Sequence, residues 1–315
     1  MDRTHSLKTA PDFRFCEDAT FWDVRDTQDQ LIQRRVLVSC DPNRKECGPW
    51  GCTAAPGVAK LPPNHDFHPL GMEASPSVGG NNSNLFVVNH ARSKAFIEQF
   101  TISPSSPSVA THVRTLSSPY FISPNSIALT SPNSFYVTND HFMTRRLPSY
   151  LGKILPVVET IFGLPLGWVS HVSVDADPAS STPILEHKFS ALYLPFANGV
   201  SISPSGSEVA VASTSLSQVH IYSRDAVSNA LKHIHTIPVP FSPDNLMFDE
   251  TSAVIVAGHP HFPSLLQVPQ TRGVETLFQS NGTAFSTSST ALRDSDGTLY
   301  VTGLYAEQGI LLCRP

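Results

Sequence analysis

Charge is scarce in this sequence: Lys, Arg, Asp and Glu make up 15% of its 315 residues, and the formal net charge is −5. No basic patch stands out, which argues against nucleic acid as a partner. No apolar run reaches the roughly 20 residues needed to span a bilayer. The opening "MDRTHSLKTAPDFRF" is polar and shows no hydrophobic core of a signal peptide. Cysteine is also sparse, five in all, with Cys40, Cys47 and Cys52 clustered in "CDPNRKECGPWGC" and Cys313 near the end. That cluster lacks the paired C-x2-C spacing or neighbouring histidines of a zinc site. One disulfide among the three, or free thiols, are the two readings, and the redox compartment stays open.

Long segments of helical period are scarce as well. Pro 27 and Gly 17 punctuate short runs of Val, Ile, Thr, Phe and Tyr, the composition of an all-β chain. Strands are expected at 84–89, 95–102, 126–129, 134–138, 200–202, 208–213, 218–222, 246–248, 253–257, 291–293, 298–302 and 309–312. A unit recurs: a polar residue, a short apolar strand, a turn such as "SPNS", "SPSG" or "DSDG", and a second apolar strand. Unequal spacing with repeated turn chemistry is the mark of a β-propeller. Six blades fit this length, and residues 1–315 then form one propeller domain. A sandwich or jelly roll is the alternative, and it explains the recurring asparagine ahead of each inner strand less well.

One segment breaks the pattern. "LPSYLGKILPVVETIFGLPLGWV" (147–169) carries Leu151, Leu155, Val158 and Phe162 at helical spacing, with Pro156 expected to kink or break the helix. It reads as a lid over a propeller mouth or as a helix packed on one face. Membrane contact is a weaker third reading.

In a propeller the starts of the inner strands converge on a central channel. The residues so placed are Asn125, Asn198, Asp244 and Asn245, with Glu17 and Asp18 in "FCEDATF". Ca2+ takes six to eight oxygen ligands at about 2.3–2.6 Å, from carboxylates and amide carbonyls. Any one of these asparagines alone is better read as a turn residue or strand cap. Their convergence favours a metal.

The segments "CED", "VVNH", "PNSIAL…FYVTNDH", "FANGVSISPSG", "DNLMFD" and the final "LLC" together resemble the paraoxonase/arylesterase family, over about Phe15 to Cys313. The resemblance implies a six-bladed propeller with calcium in its tunnel and hydrolysis of lactones, aryl esters or organophosphates. It matches Glu17, Asn125, Asn198, Asp244 and Asn245 to the side-chain ligands of the catalytic calcium, and Asp18 to a ligand of a second calcium. Asp140 and His141 match a pair near the active-site mouth, and Phe196 a pocket phenylalanine. Two departures follow. The second calcium's other carboxylate falls on Ser126, so one Ca2+ is expected rather than two. Of the family's histidine dyad, His90 is kept, whereas the other position, in "HPLG", is Leu70. His68 lies on the same face of an extended segment and is the candidate substitute; a satisfied surface histidine is the plainer reading.

The leading expectation is a calcium-centred hydrolase acting on a lipophilic or aromatic lactone or ester. Leu70 keeps an alternative open: a non-hydrolytic tailoring enzyme of secondary metabolism, a hetero-Diels–Alderase, whose reaction needs orientation rather than a general base. A propeller that only binds a ligand or a protein, with the converging groups as a structural calcium site, is the third.

Overall fold

The computed structural model describes residues 7–10, 13–41, 59–260, 273–283 and 285–315. Cys47 and Cys52 lie outside them. The chain begins with β1 (Leu7–Ala10), β2 (Cys16–Arg25) and β3 (Leu31–Cys40), then β4 (Ala59–Lys60), β5 (Pro69–Ala74) and β6 (Ser77–Val78). Next come β7 (Ser83–Asn89), β8 (Phe96–Ser103), β9 (Ser106–Leu116), β10 (Pro124–Ser131) and β11 (Ser134–Asn139). Helix α1 (Ser149–Ile161) precedes β12 (Gly167–Val174) and β13 (Ile184–Leu194). β14 (Ala197–Ile202), β15 (Glu208–Ser213), β16 (Gln218–Arg224) and β17 (Leu231–Pro238) form one meander. β18 (Ser242–Phe248), β19 (Val254–His259), β20 (Thr290–Arg293), β21 (Leu299–Thr302) and β22 (Ile310–Cys313) complete the order.

Five sheets of three or more strands make five blades: β3-β2-β6, β4-β9-β8-β7-β5, β10-β11-β12-β13, β14-β15-β16-β17 and β1-β22-β21-β20. The sixth position holds only the hairpin β18-β19. The expectation of six blades is therefore corrected to five. The recurring turn unit marks inner hairpins, and β18-β19 has that hairpin but gains no outer strands among the described residues; 273–283 form none. β2, β5, β10, β14, β18 and β20 all contribute to the lining of one central cavity of about 480 Å³.

The core lies between neighbouring sheets. Phe86, Val88, Ile97 and Leu116 of one blade meet Ile127, Phe135, Val137 and Val172 of the next, all almost fully buried. The Phe86 and Phe135 rings pack with centroids 5.0 Å apart. Each such side chain contributes about 1.5–3 kcal/mol through burial, so the seams between blades hold the ring. Trp22 is fully buried in a third cluster and donates its indole N–H to Ser83 Oγ at 2.9 Å. Cys40 pairs with Cys16, its partner across the β2-β3 ladder, rather than within its own cluster. The crosslink anchors β2 one residue before Glu17.

The 147–169 segment divides. The helix runs through Pro156 without breaking and stops at Ile161. Its end is a Schellman motif: Leu164 N–H donates to Glu159 O and Gly163 N–H to Thr160 O, with Gly163 at φ +55°. Residues 167–169 already belong to β12. Among the described residues, no helix is long and apolar enough to cross a membrane.

Candidate functional site

In five of the six cavity-lining strands, all but β20, the ladder to the neighbouring strand is irregular near the strand's start. Register shifts fall between Cys16 and Asp18, Pro69 and Met72, Pro124 and Ile127, Ala197 and Val200, and Pro243 and Leu246. Bulges re-aim side chains, and these five enclose Glu17, Leu70, Asn125, Asn198, Asp244 and Asn245. The bulged backbones also touch. A Cβ on Gly199 would lie 2.7 Å from Asn245 Cα, so only glycine fits there.

All five residues expected to hold the first calcium are buried. Asn125 Nδ2 donates to Asp140 Oδ2 (3.1 Å), Asn198 Nδ2 to Asp244 Oδ1 (2.8 Å), and Asn245 Nδ2 to Glu17 Oε1 (2.9 Å). A carboxylate only accepts, so each amide turns its nitrogen to the acid and its oxygen away. Among the described residues, Asn125 Oδ1, Asn198 Oδ1 and Asn245 Oδ1 are buried and have no hydrogen-bond partner. Leaving such an oxygen unmatched costs about 1–3 kcal/mol. Three of them suit a hard cation, so the donor set fits calcium. Asp18 is used differently. Its Oδ1 accepts from Ala19 N–H and Thr290 Oγ1, its Oδ2 from Met72 N–H, and burial pushes its carboxyl up to about 6. Ser126 Oγ accepts from Val200 N–H at 3.3 Å, tying β10 to β14.

Beside Asn125 sits a histidine–carboxylate group. His90 Nε2–H donates to Pro124 O (2.6 Å), and His141 Nδ1–H to Asp140 Oδ1 (2.9 Å). Burial raises the Asp140 pKa, but the His141 bond, with help from the charge of His90, outweighs it and holds the carboxyl low. His141 is raised in turn, the Asp140 bond overcoming burial. Its Nε2 lies 2.8 Å from Thr160 Oγ1, whose own proton goes to Pro156 O. Both ring nitrogens therefore donate, and α1 is fastened to the imidazolium. The Phe196 ring packs on it, centroids 4.4 Å apart. Buried Glu159 grips the same turn, accepting from Phe142 and Met143 N–H at 2.9 and 2.8 Å. Thr160→Val removes both bonds and should cost about 1–3 kcal/mol, the worth of two hydrogen bonds, read as a lowered denaturant midpoint.

His68 lies between two carboxylates, Nδ1 3.2 Å from Asp41 Oδ2 and Nε2 3.1 Å from Asp66 Oδ1. The Asp41 bond leads in raising its pKa. A raised histidine adds stability in full below its unfolded value, about 6.5, and loses it as pH rises through the folded value. His68→Gln should therefore destabilise most below about pH 6.5 and progressively less above. It should change turnover little beside the 10²–10⁴-fold (roughly) loss of a true general base. A pH series of denaturation midpoints and rates checks both. Leu70 packs partly buried against the Phe86 cluster.

Several site residues had escaped the sequence reading. Glu73 lines the cavity and accepts from Thr20 Oγ1 at 2.9 Å; burial pushes it up to about 8. His65, Glu98 and His112 form a cluster able to hold a metal, their donor atoms all within 4.8 Å of one another. Burial raises Glu98, but hydrogen bonds led by His112 outweigh it and hold the carboxyl down at about 2. Its signal was present: a carboxylate in "FIEQF" at the same strand parity as Phe96 and Phe100.

The rat serum paraoxonase/arylesterase 2 is 28% identical over 245 residues, covering 71% of this chain and 64% of that protein. The chicken protein of the same name is 30% identical over 178 residues, 56% of this chain and 45% of its own length. The matched part thus spans less than two thirds of these relatives. A solved structure whose gluconolactonase assignment is itself provisional superposes with a TM-score of 0.53 at 14% identity, covering 99% of this chain and 93% of its own. That likeness speaks for the fold alone. Neither the cycloaddition alternative nor a place in secondary metabolism gains support from these comparisons. The arylesterase family model matches residues 57–313, and on that span the chain belongs to the arylesterase family.

Proposed function

We propose that this protein is a calcium-dependent hydrolase of lipophilic lactones or esters. The observation that carries the reading is the set of three buried, unmatched amide oxygens on Asn125, Asn198 and Asn245. Glu17 and Asp244 add the charge needed to hold a dication, and these five residues would form its protein shell. Bound there, calcium supplies a Lewis acid for the substrate carbonyl.

The chain's own groups do the rest. Asp140 fixes the Asn125 amide through Nδ2 and pairs with His141. His90 gives its Nε2 proton to Pro124 O, which leaves Nδ1 as the ring position that exchanges a proton. That nitrogen is the proton acceptor for an attacking water. Phe196 and α1, held at this end through His141, supply apolar surface for the substrate and exclude water from it.

The test is hydrolysis of phenyl acetate and aliphatic lactones with calcium and after chelation. The expected result is turnover that chelation removes and calcium restores. Full activity in calcium-free protein, or no turnover at high enzyme concentration with calcium, overturns the reading.

A further inference from the structure

We propose that His65, Glu98 and His112 form a second, independent metal site that takes a transition-metal dication of the zinc class. Glu98 is fully buried, with Oε1 2.9 Å from His65 Nε2 and Oε2 2.8 Å from His112 Nε2. The two imidazole rings lie with centroids 5.2 Å apart. Two imidazoles and one carboxylate are the donors zinc favours, with bonds of about 2.0–2.2 Å. Calcium, by contrast, takes six to eight oxygens.

The surroundings support a metal rather than a casual contact. Asn89 Nδ2 donates to Glu98 Oε1 at 2.8 Å and Thr115 Oγ1 to Oε2 at 2.6 Å, so both oxygens are held from behind. Such outer partners orient ligating carboxylates in metal sites. The Phe67 and Phe100 rings wall the site, against His65 and His112. His65 keeps 19% of its side-chain surface exposed, leaving a solvent-side position for water. On binding, each ring would ligate through Nε2 and carry its remaining proton on Nδ1.

The location separates this site from the calcium shell. β8 and β9 are the third and fourth strands of their blade, counted from the cavity-lining β5. A hydrogen-bonded path still reaches the candidate active site. Asn89 Nδ2 also donates to Asp66 O, its Oδ1 accepts from His68 N–H, and His90 N–H donates to His68 O. A metal joining His65 to Glu98 would therefore brace the 62–68 loop that backs His90.

The experiment uses the whole chain, stripped by chelator, reloaded with calcium and dialysed against ZnCl2, with bound zinc measured by mass spectrometry. One zinc per chain is expected. Its affinity should fall in His65→Ala and in His112→Ala by more than the 10–100-fold (roughly) that follows loss of an outer partner. Glu17→Gln should keep it, since that residue belongs to the other shell. Cobalt substitution gives a second readout: d–d absorption of a nitrogen-ligated site, present in the wild type and lost in His65→Ala. Failure to retain zinc, or equal retention by both histidine variants, overturns the proposal.

Discussion

Glu17→Gln is expected to lower calcium-dependent ester turnover on the order of 10²–10³-fold, the scale of one preorganised electrostatic group. The substitution is chosen to spare the fold. Asn245 Nδ2 donates to Glu17 Oε1 at 2.9 Å, and a glutamine oxygen can accept that bond as well as a carboxylate does. What disappears is one of the two negative charges of the proposed shell, the other being Asp244. The loss should therefore appear first as weaker calcium retention, with turnover partly recovered at high calcium. Asn245→Ala should lose both the oxygen and the Glu17 tie, and high calcium should not recover it. Dialysis with calcium analysis, beside rates across a calcium titration, separates the cases. Unchanged retention in Glu17→Gln would remove this residue from the shell.

Among the described glycines, Gly71→Ala is expected to be the most damaging single methyl addition. Its Cβ would lie 2.1 Å from Asn125 O and 2.7 Å from Ser126 Cα, both backbone atoms. No rotamer change relieves such a contact, so the bulges of β5 and β10 must separate. Overpacking usually costs about 1–3 kcal/mol and occasionally more; backbone against backbone belongs at or above the upper end. The displacement would also carry Asn125 Oδ1 away from its neighbours, so calcium retention should fall with stability. Gly80→Ala is the control: its Cβ meets nothing within 4 Å, and only the strain of φ +80° applies. Denaturant midpoints of the two variants, with bound calcium measured on each, decide it. A Gly71→Ala protein with native stability and calcium would show that the inner strands are looser than this packing implies.

Much of the strand pattern was legible because its alternation is local. "FYVTN" and "EVAVAS" read as strands on sight, and β15 spans the expected Glu208–Ser213. Others were hidden by their own chemistry. β2, CEDATFWDVR, mixes acids with apolar residues because one end lines the cavity. β17, LKHIHTIP, is an outer strand with most positions exposed or half-exposed, so it lacks an apolar face. The count of blades rested on length, and length does not show which hairpins acquire outer strands. At the site, Asn125, Asn198 and Asn245 could be picked out because each sits at the start of an inner strand. The bulges that aim them could not, since a bulge is a property of two paired strands. His65, Glu98 and His112 are 33 and 14 residues from one another along the chain, and only folding of the blade unites them.

The pairing of β1 with β22 sets Leu7 opposite Cys313 and Ala10 opposite Ile310. The circle is thus fastened by a latch whose halves lie far apart along the chain. Sheets built from consecutive strands can form locally, but this one needs β1 and β22 together. Contacts of such long sequence separation fold slowly, so the latch should be the final step of assembly. Pulled through attachments at Leu7 and Cys313, which face each other across this pair, the molecule should open there first, shedding β1 by unzipping before any seam between blades is loaded.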